Sequence, residues 1–164
     1  MEEVSKSLAE TEQIAIECLG RLAKVKRQDG GATVVGLVGD LGAGKTTFTQ
    51  AAALALGIQA RVTSPTFVIM KSYQISCQGS PLTQGQGDPF YPWKRLIHID
   101  CYRLDGPKDL LRLGWKEIMA DPKNLILIEW PERVGDLIFS PTLKISFEVA
   151  AEDSRRVIYS SNNL

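Results

Sequence analysis

Gly39, Asp40, Leu41, Gly42, Ala43, Gly44, Lys45 and Thr46 fill the spacing G-x-x-x-x-G-K-[ST], and Thr47 follows directly. Glycines at these intervals let successive backbone N–H groups turn inward to one point, and a helix opening at Lys45 would aim its positive end at the same place. Lys45 adds a mobile cation, and the Thr46 hydroxyl suits a hard ion such as Mg²⁺. Donors so arranged fit an anion as charged as a nucleoside triphosphate, and the arrangement is a phosphate-binding P-loop. A glycine-rich turn with a chance lysine is the plain alternative. The apolar run before the loop and the helix-forming run after it argue against that reading.

Such a loop needs an acidic side chain at the end of a neighbouring buried strand, to hold Mg²⁺ directly or through water. Asp100 and Glu129 each end an apolar run, 96–99 and 125–128. Spacing alone does not divide metal ligand from water-orienting base between them, and each could instead cap a turn. Thr63, Ser64, Pro65 and Thr66 read as a turn stiffened by its proline, the kind of loop in which a threonine senses a γ-phosphate. Arg103 is either a charge stabiliser near Asp100 or half of a surface ion pair. His98, the single histidine, lies inside an apolar run and reads as a packed strand residue rather than a base.

The elements that must position these residues follow from periodicity. Ser7 and Glu10 have capping-box spacing, and Leu8, Ala15, Cys18, Leu19, Leu22 and Ala23 form a helical stripe, so a helix is expected from 7 to about 28. The run 33–38 is a buried strand, and 45–56 is a helix with Gly57 as its C-terminal cap. Val62 and the run 67–70 suggest extended structure interrupted at Pro65. The stretch 76–93, with Gly79, Pro81, Gly85, Gly87, Pro89 and Pro92, reads as a long exposed loop. A helix starts near Pro107, beside Asp105, and Gly114 interrupts it. Residues 143–149 and 156–159 read as a hairpin with its turn at 152–154. Together these elements predict an α/β fold, a P-loop NTPase-like three-layer sandwich with a mostly parallel sheet and a C-terminal antiparallel hairpin. In such sheets ligands gather at the carboxyl ends of the strands, where Gly39, Asp100 and Glu129 emerge.

Composition narrows the class. The chain has 164 residues, 44% hydrophobic and 23% charged, which fits one domain over 1–164. Its 19 basic side chains balance 19 acidic ones, which argues against a protein that grips DNA or RNA by itself. No stretch approaches the ~18 apolar residues of a membrane span, and the first residues lack a signal-peptide pattern, so a cytoplasmic protein is expected. Cys18, Cys77 and Cys101 have neither paired nor metal-like spacing and read as reduced thiols.

Four stretches taken together resemble the TsaE family, also called YjeE, the P-loop ATPase component of bacterial tRNA threonylcarbamoyladenosine synthesis. They are GDLGAGKTTF at 39–48, SPTF at 64–67, HIDCYRLD at 98–105 and IEWPE at 128–132. The first is widespread among P-loop proteins, whereas the other three, in this order, are specific to the family. The resemblance implies that the loop from Gly39 to Thr47, with Thr66 and Trp130, binds ATP and that Thr46 and Glu129 hold Mg²⁺. It implies that Asp100 acts in hydrolysis together with Lys45 and Glu129. It further implies slow turnover in isolation and a complex with two partners, TsaB and TsaD, through which the chain meets tRNA indirectly. The segment 76–93 is longer than the family pattern leads one to expect.

Two other classes compete. A small-molecule kinase would use the same loop with Asp100 as base, but needs an acceptor pocket and usually a basic lid, which no arginine cluster suggests. A GTP-dependent switch usually selects guanine with N-K-x-D, and Asn124, Asn162 and Asn163 all lack a following lysine.

Overall fold

A computed structural model describes residues 2–25, 30–75, 91–138, 142–151 and 154–160. The strands are β1 (Glu2–Ser5), β2 (Thr33–Gly39), β3 (Met70–Gln74), β4 (Arg95–Asp100), β5 (Asn124–Glu129), β6 (Leu143–Ala151) and β7 (Ser154–Ser160). The helices are α1 (Leu8–Leu22), α2 (Lys45–Ala55), α3 (Pro107–Arg112) and α4 (Trp115–Ala120), and a 3-10 segment, Pro131–Ile138, follows β5. The strands lie in one sheet in the order β1-β7-β6-β2-β5-β4-β3. Its centre, β6, β2, β5 and β4, is parallel, while β3, β7 and β1 run antiparallel to their neighbours.

The central strands are apolar throughout because both faces are covered. Val35, Leu37, Leu96, Leu125 and Leu127 pack with the buried faces of α1 and α2. Val34, Ile97, Ile99, Ile126 and Ile128 pack instead with Leu110 of α3 and Trp115 of α4. The expected three-layer architecture is therefore present, and so is the C-terminal hairpin of β6 and β7. Residues 152 and 153 of its expected turn lie outside the described residues.

The first helix starts as its sequence predicts. Ser7 caps α1, its Oγ accepting the Glu10 N–H at 3.2 Å, and the Glu10 carboxylate accepts the Lys6 N–H at 2.5 Å. It ends earlier than expected, at Leu22, because the Lys24 and Val25 N–H groups bond to carbonyls three residues back and tighten the last turn. Residues 26–29 lie outside the described residues. Gly57 occupies the expected cap of α2 at φ 73°, its N–H donating to the Leu54 carbonyl at 3.0 Å. Gly114, at φ 80°, separates α3 from α4 as predicted.

Three expectations need correction. The apolar run 67–70 is a turn that becomes a strand only at Met70. The Pro65 carbonyl accepts the Val68 and Ile69 N–H groups, and Phe67 is 87% exposed, so residues 67–69 stay out of the sheet. The exposed loop predicted for 76–93 falls mostly outside the described residues, but its last residue is buried. Trp93 stacks on Tyr91, and its indole N–H donates to Thr33 Oγ1 at 2.9 Å, which ties it to the start of β2. Finally, β1 was not expected from the sequence, and it extends the sheet beyond the hairpin by pairing with β7.

Candidate nucleotide site

The loop between β2 and α2 is shaped by two close approaches. At Gly39, φ 146°, any Cβ would stand 2.4 Å from the Phe147 carbonyl oxygen of the neighbouring strand, so only glycine fits. Gly44, φ 109°, caps α2 in a left-handed conformation with no side-chain cap, which leaves the first-turn N–H groups of the helix facing the loop. Phe48, one turn into α2, meets Phe147 edge-on at 5.6 Å between ring centres. That contact is worth about 0.5–1.5 kcal/mol beyond area burial and fixes the helix start against β6.

Lys45 lies inside this loop. Its Nζ donates to the carbonyls of Gly39 at 2.6 Å and Asp40 at 2.8 Å, and stands 4.1 Å from the centre of the Trp130 ring. Burial lowers its pKa, an effect opposed by the carboxylates of Glu129, Glu132, Asp100 and Asp40. The ammonium is thus partly stripped of water, the condition under which a phosphate oxygen gains most from it.

Asp100 and Glu129 stand opposite each other in the parallel register of β4 and β5. Both point to the same side of the sheet as the loop and α2. The Thr46 hydroxyl donates to Glu129, 2.9 Å from Oε1 and 3.2 Å from Oε2. Asp100 has different partners: its Oδ2 accepts the Thr66 hydroxyl at 2.5 Å and the Ser64 hydroxyl at 3.3 Å, and its Oδ1 accepts the Tyr102 N–H at 3.0 Å. The two acids, alike in sequence, therefore belong to different clusters. Glu129 faces the P-loop threonine, and Asp100 faces the turn around Pro65.

Strain collects beside both. Ile69 and Trp130 are the non-glycine residues with positive φ among the described residues, at 66° and 56°. Such a conformation costs of order 1–3 kcal/mol and persists where surroundings enforce it. Here the Ile69 carbonyl accepts the Asp100 N–H at 2.9 Å, and the Trp130 N–H donates to the Leu37 carbonyl at 3.2 Å.

A cleft of about 330 Å³ joins these parts, lined by Leu41, Gly42, Gly44, Lys45, Thr46, Thr47, Ser64, Thr66, Asp100, Tyr102, Glu129 and Trp130. Most of the sequence-predicted site residues are brought together there. Gly39 and Asp40 meet it through the carbonyls that hold Lys45, and Ala43 is buried at the turn of the loop beside a second cavity described below. The Arg103 guanidinium lies over the Phe67 ring at 4.7 Å. Sequence reasoning missed Tyr102, Ser64 as a partner of Asp100, and the contact that His98 makes with Glu129. The signal for the last was present: His98 precedes Asp100 by two residues and so shares its face of the strand.

The donor chemistry fits Mg²⁺. A threonine hydroxyl and a carboxylate are hard oxygen donors, and Mg²⁺ typically takes one or two such protein ligands together with phosphates. No group of three or more His, Cys, Asp or Glu that could hold a metal occurs among the described residues. Likewise, no helix among them is long and apolar enough to cross a membrane.

A second cavity of about 270 Å³ adjoins the first on the far side of the loop, sharing Gly42, Gly44 and Thr47 with it. Ser5, Ser7, Leu8 and Thr11 form one wall, and Phe147, Arg155 and Val157 another. It lies between the junction of β1 with α1 and the hairpin.

Comparison with known proteins agrees with this geometry. The chain is 36% identical over 125 residues to the tRNA threonylcarbamoyladenosine biosynthesis protein TsaE of Treponema pallidum (strain Nichols), covering 76% of this chain and 79% of that one. It is 34% identical over 135 residues to the protein of that name from Streptomyces coelicolor, covering 82% and 78% of the two chains. The crystal structure of YdiB from Bacillus subtilis superposes with a TM-score of 0.64 at 27% identity, covering 98% of this chain and 84% of that one. A family model described as threonylcarbamoyl adenosine biosynthesis protein TsaE matches residues 5–158. The sheet order, the loop and the family match over residues 5–158 lead to one conclusion: the chain belongs to the TsaE family of P-loop proteins.

Proposed function

We propose that the chain binds ATP with Mg²⁺ in the cleft and hydrolyses it as the ATPase component of the tRNA threonylcarbamoyladenosine modification machinery, acting with TsaB and TsaD in the cytoplasm. The observation that carries this reading is the meeting, across one cleft, of a lysine-bearing phosphate loop with two separately partnered carboxylates. The loop from Gly39 to Thr47 cradles the phosphates with its N–H groups, and Lys45 exchanges the Gly39 and Asp40 carbonyls for phosphate oxygens. Thr46 and Glu129 would hold the metal. When bound, Mg²⁺ would offset the negative charge that develops on the phosphates. Asp100 accepts a hydrogen bond from the attacking water and takes its proton as the water oxygen bonds to the γ-phosphorus, while the bond from that phosphorus to the β–γ bridging oxygen breaks and its electron pair leaves with ADP. Thr66, bonded to Asp100, links the presence of a γ-phosphate to the exposed turn carrying Phe67 and Val68.

The triphosphate occupies the cleft with its outer end toward Asp100. Its nucleoside end then runs past Gly42 and Gly44 into the second cavity. Leu8, 60% exposed, stands at that wall as an apolar surface for the base. Leu8→Ala should weaken ATP binding about three- to tenfold, from the partial loss of a buried leucine's contribution, while leaving tripolyphosphate affinity unchanged. Titration calorimetry with both ligands checks this, and equal losses for the two would place the base elsewhere.

Glu129→Ala should weaken the Mg²⁺ dependence of binding at least about tenfold, with nucleotide affinity in excess chelator little changed. Identical losses with and without metal would remove Glu129 from its role. The reading as a whole is tested by affinity capture with purified TsaB and TsaD. A complex that forms with a non-hydrolysable ATP analogue and loosens with ADP is expected, and no complex in any nucleotide state would overturn the assignment.

A further inference from the structure

The buried histidine beside Glu129 has no part in the reading above. His98 is fully enclosed, its Nε2 stands 2.8 Å from Glu129 Oε1, and its Nδ1 is buried with no hydrogen-bond partner among the described residues. We propose that His98 is the positioning residue of the metal-binding carboxylate: its Nε2–H holds Glu129 Oε1, the oxygen to which the Thr46 hydroxyl is also nearer, and so fixes the orientation of the carboxylate beside Thr46. The inference rests on the reading of Glu129 as a metal ligand.

The ring's two nitrogens assign the proton. A neutral imidazole carries one N–H and one lone pair. With the proton on Nδ1, a donor would be buried without an acceptor while the Nε2 lone pair faced a carboxylate oxygen, two unfavourable contacts at once. With the proton on Nε2, the ring donates to Glu129 and leaves only a weak acceptor unpaired. The second arrangement is the one the surroundings select.

Position explains why a donor is needed there. Glu129 is 3% exposed, so its carboxylate has few waters to satisfy or steer it. Among the described residues its side-chain hydrogen-bond donors are the Thr46 hydroxyl and His98. A threonine that ligates a cation turns a lone pair toward the ion, which loosens its hold on the carboxylate. His98 sits on the rigid strand β4, between the Lys71 and Leu127 positions of the flanking strands, and keeps its bond whatever Thr46 does. Donors of this kind, one layer behind a metal ligand, typically contribute 10- to 100-fold in metal affinity.

The test compares His98→Met, which keeps bulk and removes the donor, with His98→Gln, whose amide nitrogen reaches the position of Nε2. Mn²⁺ binding in the presence of a non-hydrolysable ATP analogue is followed by electron paramagnetic resonance, and nucleotide affinity is measured separately in chelator. His98→Met should bind Mn²⁺ about 10- to 100-fold more weakly, His98→Gln should recover most of the loss, and metal-free nucleotide affinity should stay the same in both. Wild-type metal affinity in His98→Met, or an equal loss in both variants, would overturn the proposal. Nitrogen-15 NMR of the wild-type imidazole gives an answer independent of how the variants fold: the Nε2–H tautomer is expected, and the Nδ1–H tautomer would contradict it. Glu129→Ala serves as the control that separates two failures. If it too leaves Mn²⁺ binding unchanged, the metal-site reading fails; if it weakens binding while His98→Met does not, only the role of His98 falls.

Discussion

Lys45→Ala should weaken ATP binding by about 2–5 kcal/mol, roughly thirty- to several-thousand-fold, while the protein stays folded. The size of the effect comes from the company that Lys45 keeps. Glu129, Glu132, Asp100 and Asp40 all act on it, so its removal leaves a negative cleft that repels a triphosphate as well as one lacking its central cation. Stability should respond differently. Burial lowers the pKa of Lys45, meaning that its surroundings disfavour the charged form, so exchanging it for alanine relieves a desolvation cost. The carbonyls of Gly39 and Asp40 lose a donor but border the cleft, where water can replace it. A melting temperature within about 3 °C of wild type is expected, corresponding to about 1 kcal/mol in a chain of this size. Calorimetry on a folded variant gives both quantities, and ATP binding within threefold of wild type would remove Lys45 from the phosphate site.

Asp100→Ala should do the reverse, sparing nucleotide binding and slowing hydrolysis by about 10²–10⁴-fold, the usual range for loss of a positioned general base. Asp100 lies at the end of the cleft formed by Ser64 and Thr66, away from the loop carbonyls that hold Lys45. Its removal costs the hydroxyls of Thr66 and Ser64 their acceptor, so part of the effect could come from a displaced turn. Asp100→Asn separates the two causes: it keeps an acceptor oxygen for those hydroxyls but is a far weaker base. Equal slowing in both variants, with ATP affinity within about threefold of wild type, is the expected result in single-turnover phosphate release with TsaB and TsaD present. Hydrolysis retained by Asp100→Asn would mean that the residue shapes the turn and takes no proton.

How far the site could be read from residues alone depended on whether its parts are local. Gly39 to Thr46 is contiguous and demands glycine for reasons of backbone geometry, so the loop declares itself. Asp100 and Glu129 show themselves because each ends a buried apolar run, and their opposition across β4 and β5 follows from parallel pairing. The division of partners between them is a long-range fact, set by which loop folds over which strand end, and no spacing carries it. Phe67 to Ile69 misled because β-branched and aromatic residues favour strands. The Pro65 carbonyl captured two N–H groups there, and the side chains of Phe67 and Val68 were left exposed. Strand β1 escaped notice for the opposite reason: Glu2–Ser5 is a short, polar edge strand whose existence depends on β7. Trp93 sits at the end of a Gly/Pro-rich stretch, and only its distant partner Thr33 shows that it belongs to the core.

The fold accounts for the cleft through a few enforced approaches. β2 and β6 lie so close that Gly39 admits no side chain, and Phe48 against Phe147 anchors the helix whose first turn faces the loop. Parallel pairing of β2, β5 and β4 then delivers Glu129 and Asp100 to the same edge.

The most direct test is titration calorimetry of the purified, folded wild-type chain with ATP, run once with Mg²⁺ and once with chelator. A saturable heat that tightens when Mg²⁺ is present, and that disappears in Lys45→Ala, is the predicted outcome. No heat under either condition would contradict the central claim that these backbone amides and carboxylates form one nucleotide site.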